Sequence, residues 1–313
     1  MGIALLPKSV LTSKQLKRID LGDDARQHSS QRLEQPQLLG MTMRVLDYAL
    51  VAALGLAVPQ ASAQTPPNVT LTRLECGTPA APIDVNVRFS DTFAYKNLML
   101  QFVFSCYLIK HGEEYMLWDT GHAASAGAVA PKVSIADQLA QLNVKPEQVK
   151  FVGISHYHSD HIGGAAAFGK ATLLIGKGDW DVITTPKPPT GLNPQLLTNW
   201  ISGGSTVEPV ITDKDVFGDG TVIMLNTPGH TPGHHCLLIK LPNMGAVMLS
   251  GDFVHFNENY ETGGVPFFNA DRAQTLASID RMKKLATNLK ATIIIQHDAR
   301  DIGKLPAFPA AAN

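Results

Sequence analysis

From about residue 68 the chain alternates short apolar runs with short polar turns. VTLTRLEC and then IDVNVRF (83–89) read as strands. FVFSCYLIKHGEEYMLWDTG predicts a hairpin that turns at Lys110-His111-Gly112 and ends at Asp119-Thr120-Gly121. SIADQLAQL (134–142) suits a short helix, and Pro146 suits the first turn of another. KFVGIS and ATLLIG (171–176) are two further strands, and the proline-rich stretch 185–199 reads as a loop. The second half resembles the first. TVIMLNTPGH is a strand ending in a polar turn, and HHCLLIKL and AVMLSGD are two strands paired through Pro242-Asn243. Asp271 to Lys290 is the clearest helix, with Ala273, Leu276, Ile279, Met282, Leu285 and Leu289 on its apolar face. ATIIIQHD is a last buried strand. Two strand-rich halves with helices outside predict an α/β fold, a four-layer αββα sandwich.

The first 63 residues break this pattern. Residues 1–40 are polar with no apolar period; MTMRVLDYALVAALGLAVPQASAQ follows. A basic residue, an apolar run over 48–58 and Ala61-Ser62-Ala63 before Gln64 form a secretory signal pattern, with Met41 or Met43 as the start. The run is too short for a comfortable membrane span. The domains expected are therefore a leader and signal peptide over 1–63 and a single folded domain over 64–313, periplasmic or secreted. Cys76, Cys106 and Cys236 leave one bridge or three buried thiols open, and none has zinc-ligand spacing. With 26 basic and 27 acidic residues the charge is balanced, so composition offers nothing for nucleic acid to bind.

What changes the picture is where the polar groups fall. His156, His158, Asp160 and His161 follow one apolar strand. His230 follows a second, Asp252 a third and His297 a fourth. Alone, His230 after Pro-Gly is more often a turn residue, Asp252 a cap, and His297 a satisfied strand-end histidine. HYHSDH differs, because a metal-free cluster would repel itself once protonated. Neutral imidazoles and carboxylates suit zinc, and also manganese, iron or cobalt. Five histidines and two aspartates suffice for two divalent ions with one carboxylate between them.

HYHSDH with Gly163-Gly164, TPGHTPGH, the SGD turn and the strand-end histidine resemble the metallo-β-lactamase superfamily over roughly residues 70–305. The resemblance implies that His156, His158 and His230 hold one metal and Asp160, His161 and His297 the second, with Asp252 bridging. It makes Asp119 an acid that orients a ligand imidazole, and it leaves His234 and His235 to packing or to hydrogen bonds behind the ligands. A bridging Asp252 argues against a true β-lactamase. YLIKHGEEYMLWDTGH, ISHYHSDHIGG, IGKGDWD and SGDFVHFNENYE are most similar to quorum-quenching N-acyl-homoserine lactonases.

That likeness implies a metal-dependent hydrolase, carrying two ions with zinc expected, whose hydroxide opens the lactone ring while Asp160 passes a proton to the leaving alkoxide. The lactonases carry a tyrosine three residues after the bridging aspartate; here the position is His255, which either donates a hydrogen bond in its place or only packs or binds a neighbouring carboxylate, and Tyr260 is a candidate substitute. Leu192, Leu196, Leu197, Trp200, Val265, Phe267 and Phe268 are candidates for an acyl trench. The partner expected is a small-molecule substrate, an acyl lactone or related ester. No nucleic acid and no stable membrane insertion after processing are expected, and a homodimer is left open. The alternatives are a phosphotriesterase, thioesterase or arylesterase on the same site, or a metal-binding protein without catalysis.

Overall fold

The computed structural model describes residues 67–313; the leader and its cleavage site lie outside the described residues. Among the described residues thirteen strands run in chain order: β1 (Val69–Glu75), β2 (Ile83–Asp84), β3 (Met99–Leu100), β4 (Ser105–His111), β5 (Glu114–Trp118), β6 (Val149–Ile154), β7 (Thr172–Gly176), β8 (Val207–Val210), β9 (Lys214–Asp215), β10 (Val222–Asn226), β11 (His235–Leu241), β12 (Gly245–Leu249) and β13 (Thr292–Ile294). The helices are α1 (Ile135–Gln141), α2 (Ser159–Ile162), α3 (Lys177–Ile183), α4 (Thr198–Ile201), α5 (Asn257–Thr262) and α6 (Arg272–Leu289). A six-stranded sheet has the order β1-β4-β5-β6-β7-β8, and a five-stranded sheet the order β13-β12-β11-β10-β9.

The apolar runs explain the layering. In β4, Tyr107 and Ile109 point into the space between the sheets, while Cys106 and Leu108 face the outer layer. In β11, Leu237 and Ile239 point inward, and Cys236 and Leu238 outward. Strands buried on both faces read as continuous apolar runs instead of alternating ones. Between the sheets Ile109, Met116 and Trp118 meet Val222, Met224, Leu237 and Leu249. Each such side chain contributes about 1.5–3 kcal/mol when fully buried. Outside, Ile135 and Leu139 of α1 cover the first sheet, and Ile279 and Met282 of α6 cover the second. This is the expected αββα sandwich. Among the described residues no helix is long and apolar enough to cross a membrane.

Several elements differ from expectation. The run 83–89 is a strand only at Ile83–Asp84, because Asp84 Oδ1 captures the Asn86 N–H and turns the chain. The hairpin turns one residue later than expected, with His111 paired to Glu114. The loop 185–199 closes with a 3₁₀ turn at Pro194–Leu197. β8 and β9 are short strands that the apolar pattern does not mark. Pro209 argues against a strand, but β8 lies at the sheet edge, where the missing N–H costs no pairing. The buried stripe of α6 is Thr275, Ser278, Ile279, Met282 and Ala286, while Ala273 and Leu289 are exposed. Thr275 and Ser278 can face inward because their hydroxyls donate to the carbonyls of Asp271 and Pro228. Cys76 and Cys106 form a disulfide, and Cys236 is a buried free thiol.

Candidate metal centre

The four strand ends converge. His156 lies just past β6, His230 past β10, Asp252 past β12 and His297 past β13, each within four residues of its strand. α2 carries Asp160 and His161. It docks beneath the Asp119–His122 turn because Gly163 has no side chain: a Cβ there would sit 2.2 Å from the Ala123 nitrogen.

Two groups of donors result. In the first, His156 Nε2 is 2.8 Å from His158 Nδ1 and 3.1 Å from His230 Nε2, and the latter two are 3.0 Å apart. Asp252 Oδ2 approaches His230 Nε2 at 3.5 Å and His156 Nε2 at 3.7 Å. In the second group, His161 Nε2 and His297 Nε2 are 3.3 Å apart. Asp160 Oδ2 is 3.5 Å from His161 and 3.7 Å from His297, and Asp252 Oδ1 is 3.3 Å and 2.9 Å from the same atoms. Asp252 thus turns one oxygen to each group.

The donor chemistry fits divalent ions. A neutral imidazole nitrogen is either a donor or an acceptor, so three converging on one point cannot all satisfy each other. Asp252 Oδ1 is buried without a well-formed hydrogen bond, a costly arrangement unless a cation meets it.

Neighbouring groups aim the imidazoles by occupying their other nitrogens. Asn269 Oδ1 lies 2.8 Å from His230 Nδ1, and the Val103 carbonyl 2.9 Å from His297 Nδ1. Asp119 is fully buried; its Oδ2 lies 2.9 Å from His161 Nδ1 and accepts from Gln296 Nε2 at 2.6 Å, while its Oδ1 accepts the Ser155 N–H at 2.7 Å. This is the orienting role expected of Asp119. His234 stays out of the donor groups: its Nε2 accepts the Asp252 N–H at 2.8 Å and its Nδ1 donates to Thr227 Oγ1, also at 2.8 Å. It therefore braces the Asp252 turn. Asp179 is a buried carboxylate with three donors, Tyr157 N, Thr231 Oγ1 and Gly233 N; burial pushes its carboxyl up to about 7 against them. Asn269, Gln296 and Asp179 went unread in the sequence.

The two groups differ in charge. Burial, reinforced by the neighbouring imidazoles, holds His156 and His230 well below the ordinary imidazole range, so they stay neutral. Burial opposes a charge on His161 too, but Asp252, Asp119 and Asp160 together raise it well above that range.

Both groups open into a cavity of about 550 Å³. Asp160, Asp252, His158, His255 and His297 lie on its lining, together with Ile83, Phe89, Phe102, Phe104, Val129 and Phe268. Arg88 stacks over Phe268 at 5.2 Å, and His122 adds a buried Nε2 without a partner. His255 Nε2 is 3.2 Å from Asp252 Oδ2, its ring sits 4.9 Å from that of Phe89, and burial lowers its pKa. Tyr260 lies elsewhere, packed beside α6 under Lys283, and does not substitute for it. Of the trench candidates Phe268 lines the cavity. Leu197 and Trp200 belong to the core outside the first sheet, Val265 is buried, and Phe267 is exposed. The loop 185–199 reaches the cavity through Gly191.

Comparison with known proteins agrees with this geometry. The profile of the metallo-beta-lactamase superfamily matches residues 103–297. An N-acyl homoserine lactonase of Bacillus sp is 30% identical over 225 residues, covering 65% of this chain and 84% of the relative. The N-acyl homoserine lactonase AttM of Rhizobium radiobacter is 30% identical over 193 residues, covering 56% and 68%. A solved N-acyl homoserine lactone hydrolase, with the product N-hexanoyl-L-homoserine at its catalytic metal center, superposes with a TM-score of 0.65 at 25% identity, covering 79% of this chain and 100% of that one. With the profile spanning more than half of its length, the chain belongs to the metallo-beta-lactamase superfamily.

Proposed function

We propose that this chain is a dimetal hydrolase that opens the lactone ring of N-acyl-homoserine lactones. The observation that carries the reading is the convergence of seven donors from four strand ends into two groups sharing Asp252. The lactonase relatives and the aromatic cavity above the donors support the substrate. His156, His158 and His230 would hold one ion, Asp160, His161 and His297 the other, and Asp252 both, with zinc as the expected metal. When bound, two such ions supply Lewis-acid polarisation of a carbonyl and hydroxide at neutral pH.

The chain's own groups do the rest. The Phe89, Phe102 and Phe268 wall binds the acyl chain and excludes water from the reacting carbonyl. Asp160, whose side chain is 22% exposed at the cavity and is held ionised by His161 and His297, takes up the proton that the attacking water gives up and passes it to the leaving alkoxide. His255 takes a different part from a tyrosine hydroxyl. Its Nε2 stands 3.2 Å from Asp252 Oδ2 on the cavity wall, so it positions Asp252 beside the reacting carbonyl. The 1–63 leader directs export, a reading that the Cys76–Cys106 bridge supports.

The test is acid release from a long-chain N-acyl-homoserine lactone by the zinc-loaded protein beside Asp252→Ala. Fast turnover lost in the variant is the expected result. No turnover by well-metallated protein would discard the lactone and turn the assay to phosphotriesters, thioesters and aryl esters. Full activity in Asp252→Ala would refute the dimetal scheme.

A further inference from the structure

The IGKGDWD stretch has no part in the chemistry above, yet it sits against the site. β7 ends at Gly176, and α3 begins at Lys177. Here the turn packs backbone to backbone on the His230 loop. A Cβ on Gly176 would lie 1.7 Å from the Gly233 carbonyl oxygen, and one on Gly178 would lie 2.7 Å from the Pro232 carbonyl. Neither contact leaves room for any side chain.

Asp179 closes this seat. Its side chain is fully buried and joins two segments that have no covalent connection nearby. Oδ2 accepts the Tyr157 N–H at 3.1 Å, and Tyr157 stands between His156 and His158. The same oxygen accepts from Thr231 Oγ1 at 2.8 Å, and Oδ1 accepts the Gly233 N–H at 2.6 Å; both donors lie within three residues after His230. One carboxylate therefore ties together the two backbones that supply the first donor group.

We infer that Asp179, seated by Gly176 and Gly178, is a positioning residue that sets the spacing between the His156–His158 pair and His230. Resting on the two-ion reading, the inference deepens it. Asp179 touches neither ion site, and its effect passes through Tyr157, Thr231 and Gly233. The second donor group is aimed by Asp119, Gln296 and the Val103 carbonyl, none of which Asp179 contacts. Its loss must then fall on one ion and spare the other. A merely structural residue would weaken both.

The experiment is zinc and cobalt(II) titration of the full chain against a competing chelator, for wild type, Asp179→Asn and Thr231→Val. His230→Ala and His297→Ala serve as markers for which cobalt(II) absorption belongs to which group. The asparagine would turn an N–H₂ group toward one or more of the three donors. In Asp179→Asn the ion of the His156–His158–His230 group is expected to bind about 10–100-fold more weakly, with an altered cobalt(II) spectrum, and the other ion to bind as in wild type. Thr231→Val keeps the shape, removes one hydrogen bond and gives a smaller loss in the same ion; it decides the matter if Asp179→Asn does not fold. Equal weakening of both ions, or no weakening of either, in the folded variants would overturn the inference while leaving the two-ion reading intact. Wild-type protein that takes up no ion would defeat both.

Discussion

The two donor groups share Asp252 and lie side by side, yet they are held by different means. The first is three imidazoles drawn from two loops, kept neutral by burial and steered by Asn269 on one side and the Asp179 seat on the other. The second gathers around Asp252 and a fully buried Asp119 hydrogen-bonded to Ser155 and Gln296, carboxylates that together with Asp160 favour charge on His161. One site depends on the spacing of loops, and the other on electrostatics within a packed interior. Divalent ions next to each other repel, so a site richer in carboxylate lowers the cost of the second charge.

The largest effect should come from the residue common to both groups. Asp252→Ala is expected to lose at least one ion and to cut lactone hydrolysis well beyond the 10–100-fold typical of groups that only orient a ligand. Metal content by mass spectrometry beside steady-state turnover checks it. Retention of both ions would mean that the groups are independent and that the comparison has no shared element.

Next comes Asp119→Asn. An amide can still accept from Ser155, but it no longer balances charge on His161. The second ion should bind about 10–100-fold more weakly and the first nearly as before. The counterpart Asn269→Ala frees His230 Nδ1 and should weaken the first ion, by an amount nearer the low end of that range. Calorimetric titration of both variants sharpens the contrast. If each lost the same ion, the division into two separately supported groups would be wrong.

This division marks what a single sequence can show. HYHSDH is local, so its four donors are legible at once. His230, Asp252 and His297 are legible because each ends an apolar strand, and strands of a sandwich end on a common edge. The steering groups are not legible in that way. Asn269 meets His230 across 39 residues, Asp179 meets Thr231 across 52, and Gln296 meets Asp119 across 177. Each looks like an ordinary cap or strand residue until the layers close. The trench shows the same limit. Leu197 and Trp200 have the composition of an acyl wall, but the first sheet needs its outer face covered, and that demand takes them into the core.

The smallest effect expected is on stability against pH in metal-free protein, and it has opposite signs in the two groups. His156 and His230 have folded pKa values below the unfolded value near 6.5. Their contribution is complete above that pH and is lost as pH falls below it. His234, held at about 3 by burial, acts in the same direction. His161 is raised, so its contribution is complete below pH 6.5 and fades as pH rises through its folded value. Acidification from pH 7 to 5 should lower Tm, at about 2–4 °C for each kcal/mol in a chain of this size. His230→Gln should flatten that acid slope, and His161→Gln should flatten the alkaline one. Melting curves across pH 5–9 in chelator decide it: slopes that respond alike to both substitutions would show that the two groups titrate as one cluster, and that the electrostatic half of the contrast does not hold.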